Sequence, residues 1–275
     1  MPPLWIWLLL LLVVLVTTVL LFQIVTMQEK DFASRVSYIQ KGIETAGEKP
    51  VIFILGTSLT QYAIDSAQKM EACINNATQK MPVILKVWKG VANLETLIAE
   101  MPELQNTKPT LLVIEANLFC YLPRGGSLRY KFSKTLRALR NHRSLSLPYF
   151  PEERKYKNRF DNRPLEIYRE GIIDTLQLNS FVQLAEKLYS GGTRILLVNF
   201  PMERSEELRK WKSPDAVIFH RNFEYLRKKV PFQFKDPKMN WDSTYFMDRA
   251  HMNQKGNKAF SKWLCVELAK ELQQL

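Results

Sequence analysis

The apolar residues of this chain form one long uninterrupted run and then several short ones. From Leu4 to Val25 there are 22 residues without a charge, mostly Leu, Val, Ile and Trp. About 20 such residues cross a bilayer as a helix. No basic segment precedes the run, it exceeds the apolar core of a cleavable signal peptide, and no small-x-small site follows in Gln23 to Lys30. An uncleaved transmembrane anchor over residues 1–29 is therefore expected, followed by a domain over 30–275.

The short runs read as strands: Val51 to Leu55, Val83 to Trp88, Leu111 to Ile114 and Arg194 to Asn199. Between them, apolar residues recur at helical spacing. Helices are predicted over Val36 to Thr45, Leu59 to Met70, and through Leu94, Leu97 and Ile98 to Met101. Further ones are predicted over Leu165 to Tyr189, Pro214 to Lys229 and Asn257 to Leu272, the first of these three ending at Gly191-Gly192. Repeated strand, helix, strand crossovers imply a largely parallel sheet covered by helices on both faces. No internal repeat is evident.

Candidate chemistry falls at the ends of these strands. Ser58, in Gly56-Thr57-Ser58-Leu59-Thr60, follows the first. A serine hydroxyl is a poor nucleophile at neutral pH unless a base takes its proton, and the chain offers three histidines. His142 lies among cations, and His220 sits in a predicted helix with no carboxylate one turn before it. His251 has Asp248 three residues earlier, close enough to accept from Nδ1 and leave Nε2 for Ser58. Taken singly, each residue has a plainer reading: Ser58 or Thr57 as a helix N-cap, Gly90 and Asn117 as turn residues, Asp248 to Asn253 as a polar helix start.

In order along the chain, these blocks resemble the SGNH (GDSL-type) hydrolase superfamily over residues 50–272. The resemblance implies a flavodoxin-like, doubly wound, largely parallel α/β sheet, here after one N-terminal transmembrane helix. It also implies Ser58, Asp248 and His251 as catalytic residues, with an oxyanion hole from the backbone N–H groups of Ser58 and Gly90 and the side-chain amide of Asn117. Two positions depart from the family pattern: Thr57 stands where an aspartate is usual, and Glu115 where a glycine is usual two residues before the asparagine. The anchor followed by such a domain is similar to proteins that work beside membrane-bound O-acyltransferases on envelope polymers. The expected function is thus a serine esterase or O-acyltransferase acting on a cell-surface glycan or glycoconjugate. A non-catalytic polymer- or partner-binding module of the same fold, or a lipid esterase, is the alternative.

Charge and cysteine content refine this picture. The net charge is +12, and between Arg124 and Arg163 there are 12 cations against three anions, interleaved with aromatic residues. This basic insertion, about 121–164, follows Asn117 directly. It would draw an anionic glycan or lipid headgroup toward the site, with Arg137, Arg140 and Arg143 as candidate contacts; a nucleic-acid partner is not expected. Counted alone, Lys30, Arg35, Lys41 and Lys49 after the anchor would hold the domain in the cytoplasm. Large domains also cross membranes regardless of such charges, and the resemblance implies an outward, periplasmic or extracellular face. Three cysteines, Cys73, Cys120 and Cys265, predict buried thiols, with a Cys73 to Cys120 bridge as the alternative. No metal or other cofactor is implied by any Cys/His spacing or glycine-rich loop.

Overall fold

The computed structural model describes residues 3–88, 107–119, 159–162, 175–212 and 215–275, together with Leu94, Ile98 and Tyr156. Two compact units are distinguished, and the sheet belongs to the one formed by 39–125 and 150–275.

The chain opens on helix α1, Leu4–Ala46, so the apolar run and the separately expected helix over Val36 to Thr45 are one element. Its side chains are described from Leu4 to Val19 and again from Arg35. Among the described residues no helix is long and apolar enough to cross a membrane. In the first stretch the large apolar side chains are nonetheless solvent-exposed, Trp5, Leu11 and Val14 among them.

Among the described residues five strands follow: β1 Val51–Gly56, β2 Val83–Trp88, β3 Leu111–Glu115, β4 Arg194–Val198 and β5 Gln233–Lys235. All pair in parallel, in the order β2-β1-β3-β4-β5. Ile52 lies between Ile84 and Leu111, and Leu55 between Val87 and Ile114. This is the doubly wound flavodoxin-like order, whose direction of winding reverses between β1 and β3. In such sheets the crevice outside the carboxyl ends of those two strands is the place for a site.

Alternation along the strands sends successive side chains to opposite faces. On one face Ile52, Ile54, Ile84, Val113, Leu196 and Val198 share a core with helices α2 Ser58–Ala63, α3 Ala67–Thr78 and the last helix, through residues such as Met70, Ile74, Phe260 and Leu264. The other face is covered by α4 Thr175–Ser190 and α6 Asp215–Lys229, with α5 Arg204–Lys212 between them in the chain; the last helix, Gln254–Gln273, is α7. Helix α4 closes as expected on Gly192, whose φ of 93° suits a residue without Cβ, and Thr193 donates back to Leu188.

Several expectations are corrected. The helix predicted over Leu59 to Met70 is two helices, because Ser66 caps α3 by accepting from Lys69 and the Asp65 N–H leaves the axis to donate to Ser261 at 2.7 Å. Helix α5 and strand β5 were not foreseen. The cysteines are not all thiols: Cys73 on α3 is bonded to Cys265 on α7. The alternative partner, Cys120, lies outside the described residues, as do most of the helix through Leu94 to Met101 and the first part of the one from Leu165.

Candidate active site

Ser58 leaves the sheet at the end of β1, where a strand gives way directly to a short helix. Thr57 caps α2 from an extended backbone, its Oγ1 accepting from the Leu59 N–H at 3.1 Å. The helix-cap reading of this block and the nucleophile reading therefore hold together: the cap fixes the turn, and the next residue carries the hydroxyl.

The base arrives 193 residues later. His251 Nε2 is 2.9 Å from Ser58 Oγ. On the other side of the ring, Nδ1 is 3.0 Å from both Asp248 oxygens. Oδ1 of Asp248 also accepts the backbone N–H groups of Ala250 at 2.9 Å and His251 at 2.8 Å. Partial burial pushes this carboxyl up, but the His251 ring and those two amides outweigh it and hold it below the ordinary carboxylate value. An ionised Asp248 fixes the tautomer in which Nδ1 carries the proton and Nε2 presents its lone pair to Ser58.

The loop that carries both residues is tightly held. Met247 donates to the His251 carbonyl at 2.8 Å, Phe246 bridges Met252, and Ala250 and Met252 are buried. Asn253 caps α7 by accepting from Lys255 and Gly256, and its amide ties back to the Thr244 and Phe246 carbonyls. From the same helix, Asn257 donates to the Tyr62 carbonyl at 2.9 Å and Ser261 to the Ala63 carbonyl at 3.3 Å. These buried polar residues tie α7, which follows the His251 loop, to α2, which opens on Ser58. They were not anticipated, though two polar residues four apart on the buried face of an amphipathic helix were a visible signal.

The returning end of the basic insertion also meets this loop. Asp161 donates to the Met247 carbonyl at 2.7 Å, and Arg249 reaches the Asn162 carbonyl and the buried Glu206. The Tyr62 ring stands edge-on to His251 at 5.1 Å and to Tyr156 at 6.2 Å.

Asn117 lies in the 3₁₀ turn Ala116–Phe119, directly after β3, and is buried. Because β1 and β3 are paired, Asn117 and Ser58 follow strand ends at the same edge of the sheet. Its amide nitrogen donates to the Phe200 carbonyl at 2.9 Å. Gly90, Arg137, Arg140, Arg143 and His142 lie outside the described residues. His220 is exposed on α6, remote in the chain from any strand end. Among the described residues no group of three His, Cys, Asp or Glu side chains is placed to hold a metal ion.

Glu115 was read only as a departure from a pattern. It is 1% exposed at the end of β3. Its Oε2 accepts from the Thr57 N–H at 2.8 Å and from Thr60 Oγ1 at 2.9 Å, and Thr57 Oγ1 is 2.9 Å from both of its oxygens. Burial pushes this carboxyl above its ordinary value, and the hydrogen bonds only partly offset that. Gly56 makes room: a Cβ there would stand 1.8 Å from Thr60 Oγ1 and 2.7 Å from Glu115 Oε2.

No family profile matches the chain, and no curated protein matches it in sequence. Among solved structures it is similar to a GDSL-like lipase from Bacteroides thetaiotaomicron, at 12% identity over 88% of this chain and 99% of that one, with a TM-score of 0.48. It is similar to a psychrotrophic esterase from Pseudoalteromonas sp., at 13% identity over 82% and 99% of the two chains, with a TM-score of 0.47. A catalytic mutant of an acetylxylan esterase from Geobacillus stearothermophilus matches at 11% identity over 80% and 94%, with a TM-score of 0.45. By their descriptions the three are a lipase and two esterases. Within this chain itself, Ser58, His251 and Asp248 stand in the order that a hydroxyl nucleophile, a base and an orienting acid require.

Proposed function

We propose that the protein is a serine esterase or O-acyltransferase of SGNH type, held at a membrane by its N-terminal helix. It acts on acyl esters of a cell-surface glycan or glycoconjugate through an acyl-Ser58 intermediate. The observation that carries the reading is the continuous relay from Ser58 Oγ through the His251 ring to Asp248, with contacts of 2.9 and 3.0 Å.

In this mechanism Ser58 Oγ attacks the ester carbonyl while its proton passes to His251 Nε2, giving an imidazolium that ionised Asp248 stabilises. The tetrahedral oxyanion is held by the Ser58 and Gly90 N–H groups and the Asn117 amide. Collapse breaks the bond to the leaving alcohol, which takes the proton from His251, and leaves acyl-Ser58. Water, or a hydroxyl of an acceptor sugar, then gives its proton to His251 and attacks the acyl carbon. Collapse of this second intermediate returns the proton to Ser58 Oγ and releases the acid or the new ester.

Two features support the setting. The exposed apolar side chains along Leu4 to Val19 suit a lipid environment, and a structural disulfide between Cys73 and Cys265 suits an oxidising compartment outside the cytoplasm. Arg137, Arg140 and Arg143 would guide an anionic glycan or lipid headgroup, and a membrane-bound O-acyltransferase would supply or receive the acyl group.

The test is labelling of the full-length chain, in detergent, with a fluorophosphonate, together with release of p-nitrophenol from a short-chain ester. Ser58 should be the labelled residue, and Ser58→Ala should abolish both signals. A folded protein that takes up no label would instead favour the binding module.

A further inference from the structure

We propose that Glu115 is a positioning residue for the nucleophile: its carboxyl group grips the residues on both sides of Ser58 and so sets the direction in which Ser58 Oγ faces His251. This rests on the reading of Ser58 as nucleophile.

Among the described residues, every hydrogen bond to the Glu115 side chain comes from the turn that presents Ser58. The Thr57 N–H and hydroxyl hold it from the residue before, and the Thr60 hydroxyl from two residues after. Thr57 Oγ1 passes the contact on by accepting from the Leu59 N–H. One carboxyl group is thereby linked to residues 57, 59 and 60, leaving the side chain of 58 to project from a turn whose other members are tied down.

A merely cohesive role for Glu115 explains less. Strands β1 and β3 are already joined by their ladder from Ile52 and Leu111 to Leu55 and Ile114, and the carboxyl oxygens ignore that ladder. A buried carboxyl is also an expensive way to fill space, since desolvation penalises its charged form. What it offers over an apolar or hydroxyl side chain is two acceptor oxygens that can take three donors from one turn. The strand end is built to admit it, because Gly56 has no Cβ where Thr60 Oγ1 and Glu115 Oε2 must come together. Moreover, Thr57 and Glu115 are bonded to each other through both the backbone N–H and the hydroxyl of Thr57. The acceptor at 115 and the donor at 57 are two halves of one device.

The experiment uses the full-length chain in detergent, with Glu115→Gln, Thr60→Val and Thr60→Ser beside the parent. For each, the unfolding midpoint, the rate of fluorophosphonate labelling of Ser58, and kcat and KM for a short-chain ester are measured. A displacement of about 1 Å in a reacting group costs on the order of 10²-fold. Folded Glu115→Gln and Thr60→Val should therefore label about 10-fold to 100-fold more slowly, with kcat reduced and KM nearly unchanged. Thr60→Ser, which keeps the donor, should recover to within about twofold of the parent. Labelling of folded Glu115→Gln and Thr60→Val at the parental rate overturns the proposal while leaving the esterase reading intact. If Glu115→Gln does not fold, the contrast between Thr60→Val and Thr60→Ser decides, since both keep the carboxyl. A parent that takes no label overturns the esterase reading and this proposal with it.

Discussion

Asp248 and Glu115 approach the Ser58 turn from different parts of the fold, one from a loop with about a quarter of its side chain exposed (24%), the other from a strand end with 1% exposed. Both accept backbone amides and side-chain donors. In the loop, partial burial is outweighed by the His251 ring and two amides, and the carboxyl is driven down; at the strand end, burial dominates and the carboxyl is driven up. Identical chemical groups are thus pushed apart by solvation and by the character of their donors, an imidazole in one case and hydroxyls in the other. The loop position suits a group that must stay ionised and stabilise a charge that comes and goes on the histidine. The buried position suits one that only has to hold a turn still.

Neutralising the two groups in turn separates their roles. Asp248→Asn should lower kcat by about 10⁴-fold, because it favours the wrong tautomer of His251, whereas Glu115→Gln should cost no more than the 10-fold to 100-fold expected of a displaced nucleophile. Equal losses in steady-state assays of the two folded variants would erase the distinction. Between these extremes, Asn117→Ala in the turn after Glu115 should lower kcat by about 10²-fold to 10³-fold with little change in KM, because on the proposed reading its amide meets charge that develops in the transition state. An unchanged rate would make Asn117 a structural residue of the turn, where it holds the Phe200 carbonyl.

The opposed shifts also act on stability, with a smaller effect. Asp248 has a folded pKa below its ordinary 3.8, so its contribution is fully present above that value and is lost as pH falls through the folded pKa. Glu115 has a folded pKa above its ordinary 4.5, so the folded state binds the extra proton. Its contribution is present below 4.5 and is lost as pH rises through the folded pKa. Each slope is limited to about 1.4 kcal/mol per pH unit. Denaturant unfolding across the acid range should show the loss at the lowest pH removed in Asp248→Asn, and the decline above pH 4.5 removed in Glu115→Gln. Parallel pH curves for both variants and the parent would contradict the opposed shifts.

Much of the site was legible because its members are few and regularly spaced. Three histidines left one with a carboxylate three residues before it, and β1, β2, β3 and β4 announced themselves as apolar runs buried on both faces. Where those signals are weak, reading failed. Strand β5 is three residues with an exposed or half-exposed Gln233, Phe234 and Lys235, and α5 is polar nearly all round, so neither shows a period. The break between α2 and α3 depends on Ser261, almost 200 residues away. Glu115 looked like an oddity because the partners that make sense of it, Thr57 and Thr60, become its neighbours only when β1 and β3 pair. The disulfide had the same difficulty, since spacing along a chain does not disclose which helices will lie side by side.

The placing of Cys265 and His251 on and beside the last helix has a consequence in time. A chain is made from its N-terminus, so Ser58 emerges 193 residues before the histidine whose ring it meets, and Cys73 waits 192 residues for its partner. Until α7 docks against α2 and α3, the nascent protein carries a serine with no base and an unpaired thiol. The Ser58–His251 contact and the cross-link are then completed by the same terminal event, so that on the proposed reading a chain still being synthesised holds no armed nucleophile.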